Sequence, residues 1–193
     1  MGKLLKIILF LCTKTLIIFK PFIKAGRHTV IYPNALISRR YGKGATLTIG
    51  VDSRIGCLSQ GYKIGWFHPV RISLRAPYAN ISIGNNCELN GANIYCRNKI
   101  IIGNNAKIAG GVIITDTNGH SVYNRNQVDN PKPVILGNNI WIGLNSIILK
   151  GTEIGDNSIV GAGSVVQGTF PPFSIIKGNP ATVVKIMDSN KFS

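Results

Sequence analysis

Acidic residues are nearly missing from the first 75 positions, where Asp52 stands alone against 13 Lys and Arg. Positions 76–193 hold six acids against nine bases, and the whole chain carries +15. A basic end of this kind calls for an anionic partner: a membrane surface, nucleic acid, or an acidic saccharide or nucleotide. Nucleic acid fits worst, because no aromatics interleave with the basic residues and no recognition motif is present. Cysteine is scarce too. Cys12, Cys57, Cys87 and Cys96 form no CxxC and no zinc-type spacing, which argues against a disulfide scaffold and a zinc site. Free, buried thiols in a reducing, cytoplasmic compartment are the expectation. Long uncharged runs are lacking as well. Within Met1–Lys24 the longest is Ile7–Thr13, seven residues, where a membrane span needs about 20. No small-residue cleavage site follows, so the segment reads as neither span nor signal peptide.

What the amino-terminal segment does have is helical amphipathicity. At 100° per residue, Lys3, Lys6, Lys14, Lys20 and Lys24 fall within about 120° of one another, and Leu4, Leu5, Ile8, Leu11, Ile18 and Phe19 cover the other side. Pro21 ends or kinks this helix. Two uses of residues 1–24 follow. The helix lies in the interface of an anionic membrane, lysines toward phosphates, which makes the protein peripheral on the inner face of a bacterial membrane. Alternatively, it caps the open end of the domain. The two are compatible in an oligomer.

The length of 193 residues suits one domain, with 22 glycines and many Asn for turns, and Ile and Val for strands. A period of six decides the fold class. Stepping from Leu136 gives Ile142, Ile148, Ile154, Val160 and Val166, all aliphatic. Gly137, Gly143, Gly155 and Gly161 follow four of these stops, and Ser146, Thr152, Ser158 and Ser164 occupy a small slot four residues on. The frame recurs at Ile49 and Ile55 (with Ser53 and Ser59 in the small slot), at Ile83, Leu89 and Tyr95, and at Ile102, Ile108 and Ile114. Six fits neither the helical period of 3.6 nor strand alternation. It fits a chain that turns a corner every six residues, three sides to a coil, with the small residue letting the backbone bend. Stacked coils then pair as parallel strands. The expected fold is therefore all-β: a parallel β-helix, a triangular prism of about six coils over 48–166, within a domain covering 25–187. A phase break between Ile114 and Leu136 expels a loop at about 116–132, the only long one expected, and it holds His120.

Several blocks carry a resemblance. Lys132–Gly143 reads KPVILGNNIWIG; Ile148–Gly151, Gly161–Val166, Pro171–Ser174 and Gly178–Ala181 follow in order. The chain resembles the hexapeptide-repeat acyltransferases, and within them the O-acetyltransferases of bacterial surface polysaccharides and sugars. The resemblance implies left-handed winding, against the usual crossover rule. It also implies a homotrimer, acetyl-coenzyme A lying between adjacent prisms, and a catalytic histidine in a loop matched by Thr115–Val122.

On that footing His120 is the expected general base for a saccharide hydroxyl, a poor nucleophile that must lose its proton on attack. An imidazole, with an ordinary pKa near 6.5, suits the task. Asp116 either orients the imidazole or caps a turn. Trp141 and the Gly143 amide match positions lining the pantetheine groove, the amide as an oxyanion donor; Gly161 and Ala162 match the same groove. Lys185 is matched to the coenzyme phosphates, although Gln167–Gly168 and Thr182 stand where relatives often carry bases. Asn93 is matched to acceptor binding. Residues 181–191 are expected as a short closing helix, with 188–193 as a tail. His28 and His68 read as structural or surface residues, and no metal is expected. A carbonic-anhydrase-type site needs three converging histidines, two of them close in sequence, and these three are 40 and 52 residues apart. Other readings are transfer to an amine of a nucleotide-linked sugar or to serine, and a non-catalytic scaffold, which the loop histidine and the Trp–Ile–Gly block disfavour.

Overall fold

In a computed structural model, which describes residues 3–40, 43–56 and 68–192, the chain after its first helix winds into a three-sided column of parallel strands. Cys57 and Ser59 lie outside the described residues. The first face stacks β1 (Ile23–Ala25), β4 (Thr46–Ile49), β7 (Asn80–Ile83), β10 (Lys99–Ile102), β13 (Val134–Leu136), β16 (Glu153–Ile154) and β19 (Thr169–Phe170). The second stacks β2 (Val30–Ile31), β5 (Arg54–Ile55), β8 (Glu88–Leu89), β11 (Lys107–Ile108), β14 (Trp141–Ile142), β17 (Ile159–Val160), β20 (Ser174–Gly178) and β21 (Ala181–Ile186). The third stacks β3 (Leu36–Arg39), β6 (Arg71–Leu74), β9 (Asn93–Cys96), β12 (Ile113–Thr115), β15 (Ile147–Ile148) and β18 (Val165–Val166). Six coils are complete among the described residues, and β19 and β20 begin a seventh. The column starts at Ile23 rather than near residue 48: Ala25, Ile31 and Ile37 already step by six, in register with Ile49, Ile55 and Ile72.

Register explains the aliphatic period. Ile49, Ile83, Ile102, Leu136, Ile154 and Phe170 stand above one another in consecutive strands and point inward. Each is buried, so burial is continuous along the axis.

The corners differ from expectation. The bend falls on the third residue after each aliphatic stop, not the fourth: Asn139, Asn145, Gly151, Asn157 and Gly163 all have φ between 56° and 74°. Asn tolerates this left-handed region better than most residues because its short amide hydrogen-bonds locally. The fourth residue instead turns inward and saturates the corner. Ser164 Oγ donates to the Gly161 carbonyl at 2.7 Å, and Thr152 Oγ1 donates to that of Leu149 at 2.7 Å. The glycine after each stop serves close stacking. A Cβ at Gly103 would lie 2.5 Å from the Gly137 carbonyl oxygen, and one at Gly137 would lie 2.8 Å from the Asp156 nitrogen.

Both ends are covered. Helix α1 (Lys3–Phe19) packs on the first coil through Leu9 and Thr13, both buried, and Leu16. Thr13 Oγ1 accepts the Ile31 amide at 2.9 Å. Leu4, Ile8, Leu11 and Ile18, grouped by the helical wheel, are not the buried stripe; Leu4 is 71% and Ile18 74% exposed. Side chains of Lys3, Leu5, Lys6, Lys14 and Phe19 lie outside those described. At the other end the expected helix over 181–191 is not formed. Ala181–Ile186 is a strand antiparallel to β20, followed by a 3₁₀ turn at Ser189–Phe192. Thr182, Val183 and Val184 are β-branched, which disfavours a helix and suits a pleated strand.

The stacking role of the corner glycines is testable. Gly103 lies outside the left-handed region that favours glycine, so Gly103→Ala should act only through the collision with Gly137. Urea unfolding should show a loss of about 1–3 kcal/mol; an unchanged midpoint would mean the coils can part to admit a methyl.

Candidate functional site

The long loop leaves the column at the corner between the third and first faces, after β12, and re-enters at β13. Its first residue, Asp116, is fully buried. The carboxylate accepts the amides of Arg97 (2.8 Å), Asn98 (2.6 Å) and Lys99 (2.9 Å), the tight turn one coil below. Of the two roles open to Asp116, the structure realises the turn cap. As an orienting group for the histidine it is a correction: its oxygens are committed to those amides. The Cys96 thiol sits 3.4 Å from the same carboxylate, and burial first, then that negative charge, push its pKa up. Cys87 and Cys96 are free and buried, in line with expectation, whereas Cys12 is free but only half-buried.

His120 is exposed, and its Nδ1 lies 2.9 Å from the Arg125 carbonyl oxygen. A carbonyl only accepts, so in the neutral ring Nδ1 carries the hydrogen and Nε2 keeps its lone pair. A backbone carbonyl thus orients the ring, the role that was one of the two open to Asp116. The loop is also clipped to the column by a pair that sequence reasoning missed. Lys150 Nζ donates to both oxygens of Asp129, at 2.7 and 2.6 Å, and Asp129 Oδ2 also accepts the Asn118 amide at 2.9 Å. Lys150 is 15% and Asp129 9% exposed at the side chain. The bond from Lys150, then that from Asn118, hold the Asp129 pKa below its ordinary value. The signal was faint: a lysine inside a repeat, and a loop carboxylate 21 residues away.

A groove of about 530 Å³ runs along the second face, lined by Glu88, Lys107, Trp141, Gly143, Ile159, Gly161 and Ala162 among others. Four of the five residues expected to hold coenzyme therefore share one groove, and Trp141 is 56% exposed over it. Two expectations need correcting. The Gly143 amide donates to the Val160 carbonyl at 2.9 Å as part of the coil-to-coil ladder, so it is not an open oxyanion donor. The amides of Leu144 and Ala162, one residue further round that corner, take no side-chain acceptor among the described residues, unlike Asn104 and Asn138 at the preceding corner. Lys185 lies opposite Ile175, two strands beyond Ile159 and outside the groove lining. Lys177 is nearer: its Cγ would be 3.2 Å from a Cβ at Gly161.

Asn93 lies on β9 opposite Ile113 of β12, directly below the strand that launches the loop. His120 and the groove are not brought together in one chain. The loop leaves the corner between the third and first faces, and the groove occupies the second face, which is opposite that corner in a three-sided column. Among the described residues, no group of three His, Cys, Asp or Glu is placed to hold a metal ion.

The chain matches the family model described as hexapeptide repeat of succinyl-transferase over residues 80–116 and 133–167. It is 37% identical over 118 residues to the galactoside O-acetyltransferase of Escherichia coli K12, 58% of each chain. A solved galactoside acetyltransferase in complex with coenzyme A superposes with a TM-score of 0.55 at 26% identity, covering 93% of this chain and 72% of that one. AntD, an N-acyltransferase from Bacillus cereus solved with dTDP-4-amino-4,6-dideoxyglucose and coenzyme A, gives 0.68 at 20% identity, with 93% and 91% covered. The chain spans about half the length of the curated relatives it matches. With the three stacked faces, these likenesses identify the fold as a left-handed parallel β-helix.

The Asp129 clip carries a pH dependence. A carboxylate with a lowered pKa stabilises the folded loop above its unfolded value, about 4, and loses that contribution as pH falls through the lower folded value. Hydrogen exchange at the Asn118 amide should be strongly protected at neutral pH, and that protection, measured against the free-peptide rate at each pH, should fall in that acid window. Asp129→Asn should make it fast at pH 7; slow exchange in this variant would remove the clip.

Proposed function

We propose that the chain is a hexapeptide-repeat acyltransferase and that it moves an acetyl group from acetyl-coenzyme A to a hydroxyl of a saccharide. The observation that carries this reading is the hydrogen bond from His120 Nδ1 to the Arg125 carbonyl, which leaves Nε2 as an exposed base. Nε2 takes the proton of the acceptor hydroxyl as it attacks. The imidazolium so formed keeps its Nδ1–H directed at a carbonyl oxygen, so the ring does not turn as it takes the proton. The hydroxyl oxygen bonds to the acetyl carbonyl carbon as the thioester C–S bond breaks, and the leaving coenzyme A thiolate takes the proton back from the imidazolium, restoring the base. The apolar wall at Trp141 and Ile159 suits the pantetheine arm, and the Leu144 and Ala162 amides are placed to bind its carbonyls. Lys177, beside Gly161, lies along the same face for the phosphates. Asn93, one coil below the loop, is the candidate to hold the acceptor.

Because the loop and the groove sit on opposite sides of one column, the working site is built from two copies: His120 of one protomer faces the Trp141 groove of the next. Closed rotation of such head-to-tail contacts gives a ring, and three copies fit a three-sided prism. Thiol release from acetyl-coenzyme A with a panel of saccharides should fall about 100-fold or more in His120→Ala. Mixed with an inactive Trp141→Ala, Gly143→Arg double variant, His120→Ala should regain part of the activity, since some interfaces then pair an intact loop with an intact groove. Equal rates for wild type and His120→Ala would remove the base; failure of complementation would remove the shared site.

We also assign the outward side of α1 to an anionic membrane surface, which places the acceptor at the lipid interface. None of the described helices is long and apolar enough to cross a membrane. Leu4, Ile7, Ile8, Leu11 and Ile18 are exposed on it in a segment whose charges are all basic. Burying such side chains at an interface is favourable, and lysines add attraction to anionic lipid. Leu11→Gln with Ile18→Gln leaves the buried Leu9, Thr13 and Leu16 intact, so it should lower binding to phosphatidylglycerol vesicles at unchanged thermal stability. Unchanged binding would sink this assignment.

A further inference from the structure

Beneath the loop that carries His120, the corner between the third and first faces is built from arginines in register. Arg39 stands opposite Leu74, and Leu74 opposite Cys96. The next residue on each coil is therefore Arg40, Arg75 or Arg97. The ladder bonds continue through it: Arg40 N donates to Leu74 O at 3.0 Å, and Arg75 N to Cys96 O at 2.8 Å. On the coil above, Thr115 stands opposite Tyr95, so Thr117 of the loop occupies the fourth rung. At about 4.8 Å per coil, Arg97 and Arg75 lie roughly 5 and 10 Å below the loop's take-off point.

Like charges stacked in register repel and destabilise a sheet. On the second face the same problem is solved inside the chain: Arg54 stands opposite Glu88 and bridges to it at 3.2 Å. At the arginine corner the neighbouring carboxylate, Asp116, is occupied by the three amides of the turn above Arg75. Arg75 lies with its guanidinium carbon 5.8 Å from the centre of the Tyr95 ring, and its Nε is buried with no hydrogen-bond partner among the described residues. A half-buried guanidinium that leans on an aromatic ring, with no carboxylate among the described residues taking its charge, is a partly preorganised fork for an oxyanion. Asn93, the candidate acceptor contact, is on the same strand as Tyr95 and two residues before it.

We propose that the Arg75–Arg97 corner binds an oxyanion of the acceptor, so that the substrate is an anionic saccharide whose charged group lies one to two coils below the hydroxyl that His120 deprotonates. This rests on the acetyltransfer reading and names the class of acceptor it uses. The shared chemistry is a multivalent oxyanion, supplied either by the diphosphate linking a sugar to a carrier or by the carboxylate of an acidic sugar.

The test separates binding from turnover. Calorimetric titration of the full-length protein with inorganic pyrophosphate and, separately, with glucuronate reads the corner without catalysis and distinguishes the two sources. Whichever anion fits should bind with an affinity that falls as salt rises, and Arg75→Gln or Arg97→Gln should weaken it by about tenfold or more. Initial rates with a neutral glycoside and with its phosphorylated and uronic counterparts then read the acceptor. The variants should raise KM for the matching anionic acceptor about tenfold, leaving kcat, the neutral acceptor and the acetyl-coenzyme A KM unchanged. Binding of neither anion, or equal losses for neutral and anionic acceptors, overturns the proposal. Anion binding lost in the variants, with no transfer to any acceptor, keeps the corner and rejects the acetyltransfer reading instead.

Discussion

The distance between stacked coils governs everything else in this molecule. Parallel strands about 4.8 Å apart leave no room for a side chain wherever a backbone corner lies flat on the one above. Gly50, Gly84, Gly103, Gly137 and Gly155 meet that condition in succession, each with the next coil's backbone within 2.8 Å of where a Cβ would be. The same spacing sets Asn86, Asn105, Asn139 and Asn157 over one another, their carboxamides linked at 2.8–3.0 Å. A corner solved once can be repeated only if its neighbours are solved the same way, and that produces the period of six.

Such a column is stiff and offers little freedom for chemistry, so function is confined to departures from the repeat. The loop between β12 and β13 is one. It is anchored at its start by Asp116, which belongs to the corner below, and near its end by Asp129, which belongs to Lys150 above. The histidine is thus carried on a segment fixed at both margins, with its own ring set by a backbone carbonyl. The groove on the second face is the other departure: Leu144 and Ala162 replace the Asn of the neighbouring corner, and the side-chain acceptors that close that corner are missing.

How much of this could be read beforehand depends on whether a residue acts along the chain or between coils. The expelled loop and the aliphatic stops were legible because the repeat fixes their face and height, except at Tyr95, where Ile94 fills the inward slot; the groove residues Trp141, Gly161 and Ala162 were legible only through the family resemblance. Interactions between coils were not. Asp116 pairs with a turn 17 to 19 residues earlier, Lys150 with a loop carboxylate 21 residues earlier, and the Gly143 amide with the strand above. None of these separations leaves a local pattern. The closing strand at Ala181–Ile186 was misread for a related reason: the hexad has ended there, and only pairing with β20 says which regular structure the segment adopts.

The antiparallel turn-back at the end of the second face has a consequence for assembly. A coil edge is a row of unsatisfied amides and carbonyls, and two identical columns meeting end to end would continue each other's sheets without limit. With α1 laid across one mouth and β21 antiparallel on the last strand of the second face, a second copy cannot continue that face as a parallel sheet in register. The flanks, where the parallel ladder is already satisfied, keep the regular surface that the ends give up.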